Sequence, residues 1–275
     1  MINRDNDIAQ FARLLDALGP WLGRVVFIGG WAHRLYRERQ EAASLPYPPL
    51  RTDDADVALD PRAAGRGGDL RERLVASGFT EELSGEDRPP VTHYALGEQA
   101  AGFYAEFLTP HLGSDRRRDG RPDVTERVGG VIAQKLRHLD VLLEAPWSVT
   151  VGEDNGFPLK NATVVRIPNP VSFIVQKLLI HRRRKRADRA KDVLYVHDTI
   201  ELFGGSLDDM SIIWRSSVDP ALSPSARTKL RRAIRLFDTT GDTIREASIM
   251  ATPRVLTPQM VQELCQVGLA RVVGE

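Results

Sequence analysis

Apolar residues recur at helical spacing near the start of the chain. Ile8, Phe11, Leu14, Leu15 and Leu18 share one face of a helix predicted over residues 7–21, and Gly19-Pro20 stops it. Val25-Val26-Phe27-Ile28 is a short β-branched run that predicts a buried strand, and it runs into Gly29-Gly30-Trp31. A second helix fits residues 32–43, and the proline-rich stretch 45–50 must be loop. Residues 54–59, 91–96 and 103–108 predict three more strands, with a helix over 69–77 between the first two. The polar segment 114–123 reads as an exposed loop. Residues 130–143 suit a helix through Ile132, Leu136, Leu139 and Leu143, but alternation can also be drawn through them. Residues 148–152 and 163–167 look like strands around the Asn155-Gly156 turn.

From Pro168 onward the strand signals stop. Residues 170–202 read as a helix, whole or broken, that ends at Gly204-Gly205, and further helix is expected over 223–249 and 257–269. This order predicts an N-terminal α/β (α+β) domain with a mixed sheet over residues 1–167. An all-helical domain over 168–275 follows it.

Composition narrows the class without naming it. Hydrophobic residues at 42% and charged residues at 27% fit a soluble globular protein. The start of the chain lacks a basic segment followed by an apolar one, and no apolar run approaches a membrane span, so a cytoplasmic protein is expected. A single cysteine, Cys265, excludes an internal disulfide and predicts a core position. The six histidines show no ligand spacing, so zinc is not expected. The net charge of +1 argues against a basic coat for nucleic acid, but the charge is uneven. Residues 160–275 carry 19 Lys/Arg against 12 Asp/Glu, and residues 1–159 carry 19 against 25. Such asymmetry suggests carboxylates holding metal in the first half and cations holding phosphate in the second, against a plain fluctuation of surface charge.

The chemistry concentrates on three carboxylates. In Thr52-Asp53-Asp54-Ala55-Asp56-Val57, residues Asp54 and Asp56 are two apart, and positions i and i+2 of a strand share a face. Two adjacent carboxylates repel unless a cation lies between them, and magnesium prefers such hard oxygen ligands. A solvated acidic turn is the competing reading. Glu106 stands alone in the apolar strand Tyr104-Ala105-Glu106-Phe107-Leu108. It becomes intelligible if that strand lies beside Asp54 and Asp56, and it is otherwise an edge residue facing water. Gly29-Gly30 sits where a strand turns into a helix, where glycine amides can approach a phosphate; a tight turn is the plainer reading. Trp31 could stack on a base or pack in the core.

Phe27-Ile28-Gly29-Gly30-Trp31, the Asp54-x-Asp56 strand and Ala105-Glu106-Phe107, in this order, resemble the polymerase-β-like nucleotidyltransferase superfamily. The resemblance implies that Gly29 and Gly30 bind the NTP phosphates and that Asp54, Asp56 and Glu106 bind two magnesium ions. The 24 positions from Gly30 to Asp54 exceed the usual gap, and the 45–50 loop is the insertion.

In the second half Lys177 lies inside Phe173, Ile174, Val175, Leu178 and Leu179, either snorkelling or aimed at an anion. The cations Arg182, Arg183, Arg184, Lys185, Arg186, Arg189 and Lys191 follow, as an RNA-binding run or a solvated connection. Pro168, Pro170, Lys177 and Lys191-Asp192 resemble the bacterial toxin-like (AbiEii/MenT-type) branch of the superfamily. That resemblance implies that Lys177 contacts the triphosphate and that Asp192 belongs to the active site. The expected function is magnesium-dependent nucleotide transfer from an NTP to an acceptor such as tRNA, with an antitoxin protein as partner. A non-catalytic nucleotide- or RNA-binding module and an antibiotic-type nucleotidyltransferase are the alternatives.

Overall fold

Helix α1 (Arg4–Leu18) buries Phe11, Leu14, Leu15 and Leu18, the stripe that its spacing predicts. The structure is a computed structural model that describes residues 4–52, 54–61, 68–84, 90–96, 102–251 and 254–274, with side chains from residue 7 and without that of residue 84. Asp53 therefore lies outside the described residues. The chain forms two compact units. One runs to Glu38 and resumes from Leu50 to Ile167; the other joins Arg39–Pro49 to the chain from Pro168 onward.

The first unit is built on a mixed sheet. Its strands are β1 (Val25–Phe27), β2 (Asp54–Leu59), β3 (Thr80–Ser84), β4 (Val91–Leu96), β5 (Phe103–Pro110), β6 (Thr125–Val128) and β7 (Val131–Leu136). β2 pairs in parallel with β5 and antiparallel with β1. β4 pairs antiparallel with β5 and β3, while β7 runs parallel to β5 and antiparallel to β6. β8 (Trp147–Val151) and β9 (Thr163–Ile167) form a separate antiparallel pair around the left-handed Gly156.

Alternation along β2 and β5 gives the large sheet two unlike faces. Ala55, Val57, Ala105 and Phe107 are buried on one. There Phe11 stacks on Trp31 of α2 (Gly29–Leu35) with ring centroids 3.8 Å apart, and meets Phe27 edge-on. Trp31 is thus a core residue rather than a platform for a base. Helix α3 (Leu70–Ala76), expected over residues 69–77, follows β2 in the chain. The other face is divided along its length. Ala58 and Leu108 join Val26, Ile28, Leu139 and Leu142 in an apolar cluster, whereas the preceding residues of the same strands, Asp54, Asp56, Tyr104 and Glu106, stay partly exposed.

The helical unit starts with α4 (Pro170–Ile180), whose N-terminus is capped by the Asn169 side chain accepting from the Ser172 N–H. Its partner α5 (Arg186–Leu202) packs on α4, α9 (Asp242–Met250) and α10 (Pro258–Val273). Gly268 of α10 sits so close to α5 that a Cβ there would meet Ile200 Cγ2 at 2.4 Å. Cys265 is buried. Between α5 and α9 lie α6 (Leu207–Ile213), α7 (Asp219–Ala221) and α8 (Pro224–Ile234).

Several local expectations change. The helix expected over 32–43 begins at Gly29 and ends in a 3-10 turn at Glu38, because residues 39–49 leave the first unit. There the Ala43 N–H donates to the Leu202 carbonyl at 2.7 Å, and Tyr47 lies 4.0 Å under the Arg254 guanidinium. Residues 130–143 form β7 and then a 3-10 turn, Asp140–Leu143. The 170–202 helix is broken by a 3-10 turn, His181–Arg183, which Arg189 braces by donating to the Arg182 and Arg184 carbonyls.

Candidate active site

The parallel register of β2 and β5 sets Asp56 directly beside Glu106 and Asp54 beside Tyr104. β4 adds His93 opposite Glu106, and β3 adds Glu82 opposite His93. One row therefore crosses four strands as Asp56, Glu106, His93 and Glu82. Residues directly opposite on neighbouring strands share a face, so their charged ends are held together by the backbone rather than by choice of rotamer. Asp54, two residues before Asp56, lies on the same face.

The electrostatics carry the mark of this crowding. Burial raises the Glu106 carboxyl above its ordinary value, and the charge of Asp54 raises it further. Burial lowers His93, while the charges of Glu82 and Asp54 oppose that shift. His93 Nε2 lies 2.7 Å from Glu106 Oε1. That contact is at ion-pair distance without good hydrogen-bond direction, and the ring carries charge only when it is protonated. The His93 ring stacks on Tyr104 at 5.2 Å between centroids.

The two glycines serve these acids directly. Gly29 has φ +61°, and a Cβ at this position would stand 2.1 Å from Asp56 Oδ2. A Cβ on Gly30 would stand 2.4 Å from Thr52 Oγ1. That hydroxyl donates to Asp54 Oδ1 at 2.8 Å. The Ile28 N–H donates to the Asp56 carbonyl at 2.9 Å, which ties the glycine turn to β2. Glycine is required here because side chains of the acidic strand and its approach fill the space that a Cβ would take.

Asp54, Asp56, Glu106, Gly29 and Gly30 are thus brought together in the first unit. Lys177 and Asp192 are brought together in the helical unit, with each other. Lys177 Nζ lies 2.9 Å from Asp192 Oδ1, and Arg184 Nε lies 3.5 Å from Oδ2, both at ion-pair distance without good hydrogen-bond direction. Lys177 also sits over the Tyr195 ring at 4.9 Å. Lys177 is 7% exposed and Asp192 2%, so the pair is interior.

Sequence reasoning missed His93, because its partner depends on a strand register that spacing does not encode. A polar residue at an alternating position of an apolar strand was the available signal. It also missed a second group. Among the described residues, ligand atoms of His197, Asp198 and Glu201 lie within 4.8 Å of one another, close enough to share a metal ion. Their charges are already answered within the protein. Arg254 donates to Asp198 Oδ1 at 2.6 Å, His197 Nδ1 lies 2.9 Å from the same oxygen, and the Tyr47 hydroxyl bonds Glu201. The group fastens residues 39–49 to α5.

A nucleotidyltransferase family model matches residues 6–218, most of the chain. The chain belongs to the nucleotidyltransferase family. It is therefore an enzyme of nucleotide transfer. No curated protein matches it in sequence. Among solved structures, it is similar to an antigenic nucleotidyltransferase-like protein from Paracoccidioides brasiliensis. That match has 14% identity and a TM-score of 0.38, covering 83% of this chain and 93% of the other. It is also similar to MenT4, a nucleotidyltransferase toxin from Mycobacterium tuberculosis H37Rv. Here identity is 12% and the TM-score 0.37, covering 99% of this chain and 86% of the other. Among the described residues, no helix is long and apolar enough to cross a membrane.

Proposed function

We propose that this nucleotidyltransferase works at the Asp54, Asp56 and Glu106 face and that it is magnesium-dependent. The observation that carries the reading is the shared face of three carboxylates, one of which is held above its ordinary pKa by burial and by its neighbour's charge. Such a donor set fits magnesium, whose ligands are hard oxygens. When bound, magnesium would lower the pKa of the attacking hydroxyl and stabilise the leaving pyrophosphate. The remaining work falls to the chain. Thr52 holds Asp54 in place, and Gly29 leaves room for Asp56. The Gly29 and Gly30 amides are proposed to approach the NTP phosphates.

In the reaction, an acceptor hydroxyl gives up its proton to solvent and its oxygen forms a bond to the α-phosphorus. The bond from that phosphorus to the oxygen bridging to the β-phosphate breaks, and pyrophosphate leaves. Lys177 and Asp192 enter this reading as residues on which NTP binding depends. RNA, such as a tRNA end, is the proposed acceptor, supported by the exposed Arg182, Arg183 and Lys185 in a braced turn. The motif order from Pro168 to Asp192 supports a toxin-like enzyme with an antitoxin partner.

Incubation with labelled NTP, magnesium and an RNA pool tests the reading. Labelled RNA and pyrophosphate are expected from the wild type and neither from Asp54→Ala or Asp56→Ala. Undiminished pyrophosphate release by both variants would contradict it.

A further inference from the structure

A carboxylate that is to hold a metal ion needs its plane fixed as well as its position. The backbone of β5 fixes where Glu106 begins, but its terminal torsion is soft. The residue opposite it on β4 supplies what the strand cannot. His93 reaches Glu106 Oε1 at 2.7 Å, and no partner is recorded for Oε2 among the described residues. The imidazole is itself held. It stacks on Tyr104 with an interplanar angle of 24°, and Tyr104 is two residues before Glu106 on the same face of β5. The ring is thus braced by the strand whose acid it orients. Glu82 lies opposite His93 on the outer side, so the ring stands between two carboxylates.

We propose that His93 is a positioning residue: its ring, held on Tyr104 with Nε2 2.7 Å from Glu106 Oε1, fixes that oxygen and turns Oε2 toward the ion that Asp54 and Asp56 share. Metal-binding carboxylates are commonly oriented by such outer partners, and losing one costs roughly tenfold to a hundredfold in metal affinity or activity. The proposal rests on the metal reading above. His93 touches neither substrate nor reacting atoms in this role, and it acts only through Glu106.

Two substitutions separate this role from simple packing. The amide nitrogen of glutamine approximates imidazole Nε2, whereas that of asparagine approximates Nδ1 and falls short of Glu106. Mn2+ is titrated calorimetrically into metal-free wild type, His93→Gln, His93→Asn, Glu106→Gln, Asp54→Ala and the double variant His93→Asn/Glu106→Gln. Melting curves confirm that each is folded. The expectation is about tenfold weaker Mn2+ binding by His93→Asn and recovery to within about twofold by His93→Gln. The double variant should bind no more weakly than Glu106→Gln alone, because a residue that acts through Glu106 has nothing left to act on.

Wild-type Mn2+ affinity in His93→Asn overturns the positioning role, as does a loss that adds fully to that of Glu106→Gln. Wild-type affinity in Asp54→Ala would instead overturn the metal reading itself. If His93→Asn does not fold, His93→Phe, which keeps the ring stack and removes the donor, carries the same expectations.

Discussion

Two groups of charge in this protein are built on opposite principles. On the sheet face of the first unit, Asp54, Asp56 and Glu106 place like charges side by side, and partial burial together with the charge of Asp54 raises the Glu106 carboxyl. In the helical unit, Lys177 and Asp192 place opposite charges 2.9 Å apart in the interior. The second arrangement pairs opposite charges. The first sets like charges together because strand register forces it, which gives it a reason to take up a cation from outside. His197, Asp198 and Glu201 make the same point from a third direction, since their ligand-type atoms are gathered but already answered by Arg254 and Tyr47.

The largest expected effect lies on the like-charged side. Asp56→Ala should lower nucleotide transfer at least about a thousandfold, roughly 4 kcal/mol of transition-state stabilisation, while leaving the circular dichroism spectrum unchanged. Activity near wild type would remove the distinction between the two groups.

The paired side should respond in stability. Lys177→Met leaves a carboxylate that is 2% exposed with only the more distant Arg184 beside it and should cost about 3 kcal/mol in denaturant unfolding. Lys177→Met with Asp192→Asn should recover most of that loss. NTP affinity sharpens the comparison. If Lys177 also serves the triphosphate, the double variant stays weak in NTP binding after stability returns, and Lys177→Arg restores it only in part. Full NTP affinity in the stable double variant would make the pair purely structural.

Gly29→Ala should cost about 1–2 kcal/mol for its left-handed backbone and should also lower transfer, because the new Cβ displaces Asp56. A thermal melt and a transfer assay on one preparation read both, and an effect on neither would contradict the account of the glycine turn.

The smallest effect is on pH dependence. Glu106 has a folded pKa raised above its ordinary 4.5, so the metal-free native state keeps a proton that the unfolded chain has released. Stability from this group is therefore lost as pH rises from about 4.5 upward through the folded value. Glu106→Gln should flatten that fall in metal-free buffer, and an unchanged stability-versus-pH curve would count against the crowding of Glu106.

Local pattern made much of this legible. The strands at residues 54–59, 91–96 and 103–108 and the division into sheet and helix follow from alternation and spacing. The Asp54 and Asp56 pair follows from a strand period of two. β3 was hidden because Thr-Glu-Glu-Leu-Ser has too little apolar character to read as a strand. β7 was ambiguous because its apolar residues continue into the 3-10 turn at Asp140–Leu143. His93 beside Glu106 is a matter of register between strands, a long-range property. The course of residues 39–49 depends on Tyr47 and Ala43 finding α5, and nothing in their own sequence announces it.

The account turns on whether magnesium binds the acidic face. Thermal unfolding of wild type and Asp54→Ala, each in metal-free buffer and in excess magnesium, tests that most directly. The expected result is a wild type that gains stability with magnesium. Asp54→Ala should start at or above the metal-free wild type, relieved of repulsion, and should gain little. A wild type indifferent to magnesium, together with an Asp54→Ala variant that is less stable without it, would contradict the account.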